Sequence, residues 1–310
     1  SCPQELYRAL LTAPTAAQRR FVVWYRDTVP VGLLGLVRRN FSTLWEPVTQ
    51  WIVPGFLAAG EPSMIADLCL SLRMPIRFAW WRIPWIPKVG GNVRRINAES
   101  THRLRCTEFE NYWSQTGVLK RLEAAEKRCR RFRVGINEPG AAKWVISGSE
   151  AFWRAPGEPM AENLPRQLLA AEWLARHGRG VTVSLHDGDA LVAGEVGIIH
   201  EGTLVSTHTF RNRSHSSRGV GNVVLAAFAR WARDTGLNEF DLGGGFEYKH
   251  EWAPPSGVKA RVIVCTSAQF LQYRAQKQLL LPMINTARRL VQRYAGTSPR
   301  REAVEPGNAH

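Results

Sequence analysis

The chain is short of acidic residues relative to basic ones, poor in cysteine, and without a long apolar run. No stretch of about 18 uncharged apolar residues occurs, so no transmembrane helix and no membrane insertion are expected. The five cysteines, Cys2, Cys69, Cys106, Cys129 and Cys265, are odd in number, widely spaced and lack a Cys-x-x-Cys pair. That pattern fits a reducing compartment and argues against a disulfide framework or a zinc site. His200, His208, His215 and His250 show no spacing such as His-Glu-x-x-His. Glu247-x-x-His250 is one copy of a pattern that di-iron proteins need twice, so no metal is expected. The first residues, SCPQELYRALLTAP, lack the basic-then-apolar layout of an export signal, so a cytoplasmic location is the expectation. No polybasic cluster is read beside a hydrophobic anchor, so membrane binding is a minor alternative.

What is present is charge. Lys+Arg number 41 against 26 Asp+Glu, a net +15 with pI near 10.3. Such a surplus concentrates polyanions by long-range attraction; RNA, DNA, anionic lipid or a phosphate-rich cofactor would each satisfy it. A GC-rich coding sequence is the bland alternative. The 310 residues, 45% hydrophobic and 22% charged, exclude a mainly disordered or collagen-like chain and allow one large domain or two smaller ones.

Periodicity is clearest in the second half. AENLPRQLLAAEWLARH, residues 161–177, aligns Leu164, Leu168, Ala171 and Ala175 on one helical face. Residues 180–211 read as three antiparallel strands, with tight turns at Asp187-Gly188 and Glu201-Gly202. After an Arg/Ser/Gly loop, a helix is expected over about 220–235, with Val220, Val224, Phe228 and Trp231 buried and Gly236 as its stop. LNEFDLGGG then reads as a strand entering a glycine bend. Residues 21–40 repeat the strand–turn–strand layout faintly, as a degenerate duplication would. One long helical stretch is expected from about 108 to 131. It runs into KRLEAAEKRCRRFR, where seven Lys/Arg face two Glu. Residues 296–310 read as a solvated tail.

Two segments carry candidate chemistry. In Ser216-Ser217-Arg218-Gly219-Val220-Gly221-Asn222, glycines before a helix turn amide N–H groups outward, a geometry that receives phosphate oxygens. Arg211, Arg213 and Arg218 would add charge-assisted contacts. The segment is neither a Walker loop nor a full Rossmann fingerprint. The second segment runs from Phe240 to Trp252. Gly243, Gly244 and Gly245 allow close backbone approach; Asp241, Glu247, Tyr248, Lys249, His250 and Glu251 supply ionisable groups. Lys249 would stabilise an oxyanion or phosphate, Tyr248 would act as acid and a carboxylate as base. Solvated turns are the alternative in both places. Glu195, flanked by apolar residues, is a base candidate if buried, and His208 is another if it points into a cleft. Trp80, Trp81, Arg82 and Trp85 would either stack nucleobases or pack an interdomain seam. Lys120, Arg121, Lys127, Arg128, Arg130, Arg131 and Arg133 would track a phosphate backbone or form a solvated helix face.

Residues 161–252 resemble the catalytic half of the GNAT acyltransferase superfamily, in its double-domain Fem-type and polysaccharide-locus branches. The carrying stretches are VTVSLHDGDALVAGEVGIIHEGTLVS, Arg218-Gly219-Val220-Gly221, VVLAAFARWARDTGL and EFDLGGGFEYKHEW. GNAT loops usually place Gln or Arg three residues before the first glycine; here that position is Ser216, a departure that weakens coenzyme A pyrophosphate binding. The resemblance implies an α+β fold of tandem GNAT-like units with mixed, mainly antiparallel sheets flanked by helices. The units would be a degenerate one over residues 1–105 and a catalytic one over residues 106–295. It also implies acyl transfer to an amine without a covalent enzyme intermediate, and a splayed strand pair that receives the donor. In the Fem-type branch the donor is aminoacyl-tRNA, and the lysine of an aromatic-Lys pair, here Lys249, stabilises charge; in the polysaccharide branch the donor is acyl-CoA. No tightly bound cofactor is expected. Donor-binding residues would be Arg211, Arg213, Arg218, Gly219, Gly221, Asn222, Gly243 and Gly244, and the base Glu195, His208 or Asp241. The expected partners are tRNA and an amine-bearing small molecule or peptide acceptor. A non-catalytic RNA-binding module on the same fold is the rival.

Overall fold

The computed structural model describes residues 18–26, 28–38, 44–47, 71, 75–82, 93–152, 164–244 and 246–280, with residues 283, 286, 287 and 290. Trp85, the rest of the Trp/Pro segment through residue 92, Gly245 and the expected tail lie outside them.

The first third forms the expected hairpin: β1 (Gln18–Arg26) pairs antiparallel with β2 (Val29–Arg38), and β2 with the short β3 (Glu46–Pro47). Backbone bonds from Trp45 to Pro75 and Arg77 connect this sheet to the next one. The guanidinium groups of Arg20 and Arg38 each lie 5.1 Å from the Trp45 ring centre.

The second sheet has eight strands: β4 (Ile76–Arg82), β5 (Val93–Arg105), β6 (Arg133–Ile136), β7 (Gly180–Asp187), β8 (Ala190–His200), β9 (Thr203–Arg211), β10 (Glu239–Gly244) and β11 (Pro255–Val264). Their spatial order is β4-β11-β5-β10-β9-β8-β7-β6. Every pair in it is antiparallel except β9–β10. The α+β class is therefore as the sequence indicates. β5 pairs with both β10 and β11, so one continuous sheet carries strands from both halves of the chain. The meander β7–β8–β9 forms where expected. Its first turn sits one residue later, at Gly188-Asp189, since Asp187 still pairs with Ala190. Its second uses left-handed backbone at Glu201 and Gly202, the geometry that suits the twist of a two-residue hairpin.

Helices cover both faces. On one lie α1 (Phe109–Gln115), α2 (Val118–Arg128) and, after the β9 loop, α5 (Val220–Asp234). On the other lie α3 (Ala141–Phe152) and α4 (Leu164–Arg176). The expected single helix over 108–131 is two, because Gly117 takes φ +72° and turns the chain between α1 and α2. In α4 the buried residues are Arg166, Gln167, Ala170, Trp173 and Leu174. The expected stripe of Leu164, Leu168 and Ala171 flanks that face, against Val145, Ile146 and Val196. In α5 Val220, Val224 and Phe228 are buried as expected, and Gly236 follows with φ +77°. β8 carries a glycine toward each helical layer. A Cβ on Gly194 would sit 2.2 Å from Val145, and one on Gly197 2.2 Å from Phe228, so close helix–sheet packing needs both.

Candidate active site

β9 and β10 run parallel for three residue pairs only: Glu239 with Thr203, Phe240 with Leu204 and Asp241 with Val205. Beyond Val205, β9 stays with β8 as far as Arg211, while β10 keeps to β5. The two strands part there. The resulting pocket is narrow, a cavity of about 10 Å³, and is lined by Glu195, Ser206, Thr209 and Arg211 from β8 and β9, Leu242 from β10, Gly221 and Leu225 from α5, and Tyr248 with Lys249.

A bulge builds the floor of this pocket. Val196 pairs with His208 but Gly197 pairs with Ser206, so Thr207 is the extra residue on β9. In a regular strand, residues three apart point to opposite faces; one extra residue re-aims the side chain beyond it. Ser206 and Thr209 thus share the face of Glu195. The Ser206 hydroxyl donates to Glu195 Oε1. Glu195 is 1% exposed, and its Oε2 has no hydrogen-bond partner among the described residues. Burial pushes its carboxyl up to about 7, against the opposing pull of Ser206, Thr209, Lys249 and Arg211.

The opposite wall comes from the turn after β10. Lys249 Nζ donates to the carbonyls of Leu242 (2.7 Å) and Gly244 (2.9 Å). Of its three donors, two hold the end of β10 and one remains for a further acceptor. Burial first, then the neighbouring Lys259, lowers the Lys249 pKa to about 8. Tyr248 accepts a 3.1 Å bond from Arg211, whose guanidinium lies 5.3 Å from the ring centre. Burial raises the phenol pKa, so Tyr248 carries its proton at neutral pH. Lys249 opens a four-residue helix, α6 (Lys249–Trp252), whose carbonyls are capped by α1 and the turn after it. Tyr112 donates to His250 O (2.6 Å), Trp113 to Trp252 O (3.0 Å) and Thr116 to Glu251 O (2.7 Å).

The loop before α5 is a 3-10 turn, Arg213–Arg218, capped by the Asn212 side chain. Gly219 has φ +77°, and a Cβ there would stand 2.8 Å from Ala125 of α2. Gly221 leaves room for Arg211, whose Nε would lie 2.7 Å from a Cβ. Asn222 is partly buried in the first turn of α5, and its N–H donates to Gly219 O (2.9 Å). Ser216 is exposed, and its hydroxyl donates to Arg213 O (2.8 Å). Arg128 of α2 donates to Arg218 O (3.3 Å), so the basic helix abuts the loop. Arg218 lies 3.6 Å from Asp187, and Arg213 stacks over Phe152 at 4.8 Å.

Other named residues are placed elsewhere. His208 faces the α3–α4 layer beside Ile146, Gln167 and Val196, and burial lowers its pKa to about 4. Asp241 is buried, with Oδ2 held by Arg103 (3.2 Å) and Oδ1 by Gly243 N–H (2.7 Å). Gly243 and Gly244 admit Lys259: its Nζ lies 3.4 Å from a Cβ at Gly243 and its Cε 2.7 Å from one at Gly244. The basic run is exposed at Lys120, Arg121, Lys127, Arg128, Arg130, Arg131 and Arg133; of these, Arg121 pairs with Glu251, Arg131 with Asp187 and Arg133 with Glu138. Trp80, Trp81 and Arg82 belong to β4. Sequence reasoning missed Ser206 and Thr209. The signal was the run Ser-Thr-His-Thr over 206–209, which breaks strand alternation where the bulge sits.

Residues 117–250 match the family model of the acetyltransferase (GNAT) domain. Among curated proteins none matches the sequence. The C-terminal domain of a putative lysylphosphatidylglycerol synthetase from Agrobacterium fabrum is similar in structure, with TM-score 0.58 and 12% identity over 88% of this chain and 95% of that one. L-PGS from Bacillus licheniformis gives TM-score 0.56 and 11% identity over 88% and 96%. FemX gives 0.53 and 8% over 87% and 97%. At these identities the likeness is one of fold. Residues 117–250 thus match a GNAT domain, and the fold of the chain resembles that of FemX and of the lysylphosphatidylglycerol synthetase domain.

Proposed function

We propose that this GNAT-fold acyltransferase moves an aminoacyl group from aminoacyl-tRNA to an amine, forming an amide by direct attack. The observation that carries the proposal is the buried Glu195 carboxylate, with one oxygen unpartnered, in a pocket that also holds Tyr248 and Lys249. With a pKa near 7, Glu195 takes the proton that the neutral amine loses as it attacks the donor carbonyl. Lys249, cationic below about 8, offers its third N–H to the oxyanion that develops on the donor carbonyl. Tyr248 gives its proton to the departing ribose oxygen and is oriented by Arg211. The bond formed is amine nitrogen to acyl carbon; the bond broken is acyl carbon to ribose oxygen; the proton taken by Glu195 balances the one Tyr248 gives.

Three features favour tRNA as donor. The chain carries net +15. The exposed Lys120, Lys127 and Arg130 lie on and just after α2, the helix that abuts the Gly219 loop. Ser216 stands where GNAT loops that hold coenzyme A carry Gln or Arg, and its hydroxyl donates to the Arg213 carbonyl. The Fem-type resemblance supplies the donor class, and one structural neighbour is a domain of a putative lysylphosphatidylglycerol synthetase. The first turn of α5 also suits the pyrophosphate of acyl-CoA, so the experiment compares both donors. The protein is incubated with pools of charged tRNA or with acyl-CoAs plus amine acceptors, and acceptor mass is followed with and without ribonuclease. Ribonuclease-sensitive transfer from charged tRNA supports the proposal. Ribonuclease-resistant transfer from acyl-CoA replaces it with the coenzyme A reading. Tight RNA binding with no transfer from any donor leaves an RNA-binding module.

A further inference from the structure

A buried histidine stands beside the pocket and has no part in the reaction above. His102 of β5 is 2% exposed. Its neighbours on β10 are irregular. Arg103 pairs with Asp241 and Thr101 with Gly244, so Leu242 and Gly243 both lie opposite His102, and Gly243 takes φ +68°. Two residues facing one make a bulge, which bends the strand where it sits. Lys249 Nζ bonds across the same bulge, to the carbonyls of Leu242 and Gly244. On its other side His102 pairs with Pro255 of β11.

The imidazole of His102 meets that of His250. Its Nε2 lies 3.1 Å from His250 Nδ1, and the rings sit edge to face with centres 4.4 Å apart. Burial first, then His250, lowers the His102 pKa; Lys249 adds to this, and the Gly243 backbone and Asp241 oppose it. A neutral imidazole has one donor and one acceptor nitrogen, so it fills the contact in either tautomer. A polar ring in this place costs desolvation that a leucine would not. What the imidazole adds is a directional contact with the residue next to Lys249. α1 and the turn after it fasten α6 through the carbonyls of His250, Glu251 and Trp252. The imidazole pair fastens it to the sheet, from β5.

We propose that His102 is a positioning residue: through His250 it holds Lys249 in the pocket. α6 has four residues, too few to keep its first turn in place by helical bonds alone. Without the imidazole contact that turn moves away from β10, and Lys249 Nζ exchanges the two carbonyls for water. The kinetic consequence rests on the role proposed above for Lys249. The placement of the amine does not, and it can be measured without any donor.

The test reads the Lys249 amine directly. Acetic anhydride in trace amounts labels the unprotonated amine, and peptide mass spectrometry across a pH series gives the midpoint for Lys249, expected at about 8 in the parent. The charged groups that face this amine, Lys259, Glu195, Asp241 and Glu99, stay the same in every variant. His102→Leu and His250→Ala should each raise the midpoint by about one unit or more as the amine becomes hydrated. Each should also lower kcat by about tenfold with the donor KM within about twofold. His102→Gln keeps a polar group within reach of His250 and should stay close to the parent in both. Should His102→Leu fail to fold, His250→Ala decides, because His250 is exposed. A folded His102→Leu or a His250→Ala that keeps the parent's midpoint would overturn the proposal, as would His102→Gln shifting as far as His102→Leu. Shifted midpoints in a protein that transfers from no donor would overturn the proposed reaction and leave the positioning role intact.

Discussion

Ser206 reaches Glu195 only because Thr207 occupies an extra place on β9. Without that bulge, the Ser206 hydroxyl would face the α3–α4 layer and the buried carboxylate would lose its donor. Removing the hydroxyl alone, as in Ser206→Ala, takes away one of the interactions that hold the Glu195 pKa down. The rising limb of the pH–rate profile should move up by about half a unit to one unit, with folding unchanged. A stopped assay across pH 5 to 9, roughly the span in which such groups titrate, checks this.

Glu195 also makes stability depend on pH. Its carboxyl pKa is raised from 4.5 to about 7 by burial, so the folded state holds a proton that the unfolded state has released. Its contribution is fully present below about 4.5 and is lost as pH rises through about 7. Glu195→Gln, neutral at every pH, should therefore melt a few degrees above the parent near pH 8. The difference should close toward pH 5. Thermal melts at both pH values measure it.

Gly197 and Gly221 give opposite results on substitution. A Cβ on Gly197 meets Phe228, Leu204 and the Val205 carbonyl, the last at 3.0 Å, where neither sheet nor helix can yield. Gly197→Ala should cost about 2–4 kcal/mol, read as a fall in Tm. At Gly221 the obstacle is the flexible Arg211 side chain. Gly221→Ala should fold normally but displace Arg211 from Tyr248, lowering the transfer rate by about tenfold.

The basic run divides by its partners. Replacing Lys120, Lys127 and Arg130 together by Ala should weaken tRNA binding by about tenfold at moderate salt and flatten its salt dependence. Arg121→Ala, which breaks an exposed pair with Glu251, should do far less. Filter binding across a salt series distinguishes the two.

How far the sequence can be read follows from what each feature depends on. The meander, α5 and the β10 strand were legible because alternation, helical spacing and left-handed glycines are local properties. The break at Gly117 was not, since an isolated glycine in a helical pattern is often tolerated. Glu195, Tyr248, Lys249 and Arg211 were legible as chemistry and meet in one pocket. His208 and Asp241 shared that chemistry but were assigned by type. Which face a strand residue takes after a bulge, and whether a carboxylate has already found a partner such as Arg103, are decided by register and tertiary pairing. Ser206 and Thr209 were hidden for the same reason.

The account rests on Glu195 accepting the proton of the attacking amine. The direct measurement is the single-turnover rate of acyl transfer as a function of pH, for the parent and for Glu195→Gln. The parent rate should rise through about pH 7 and the variant should fall by about a hundredfold or more, with the rising limb gone. A Glu195→Gln protein that keeps the parent's rate and its rising limb would contradict it.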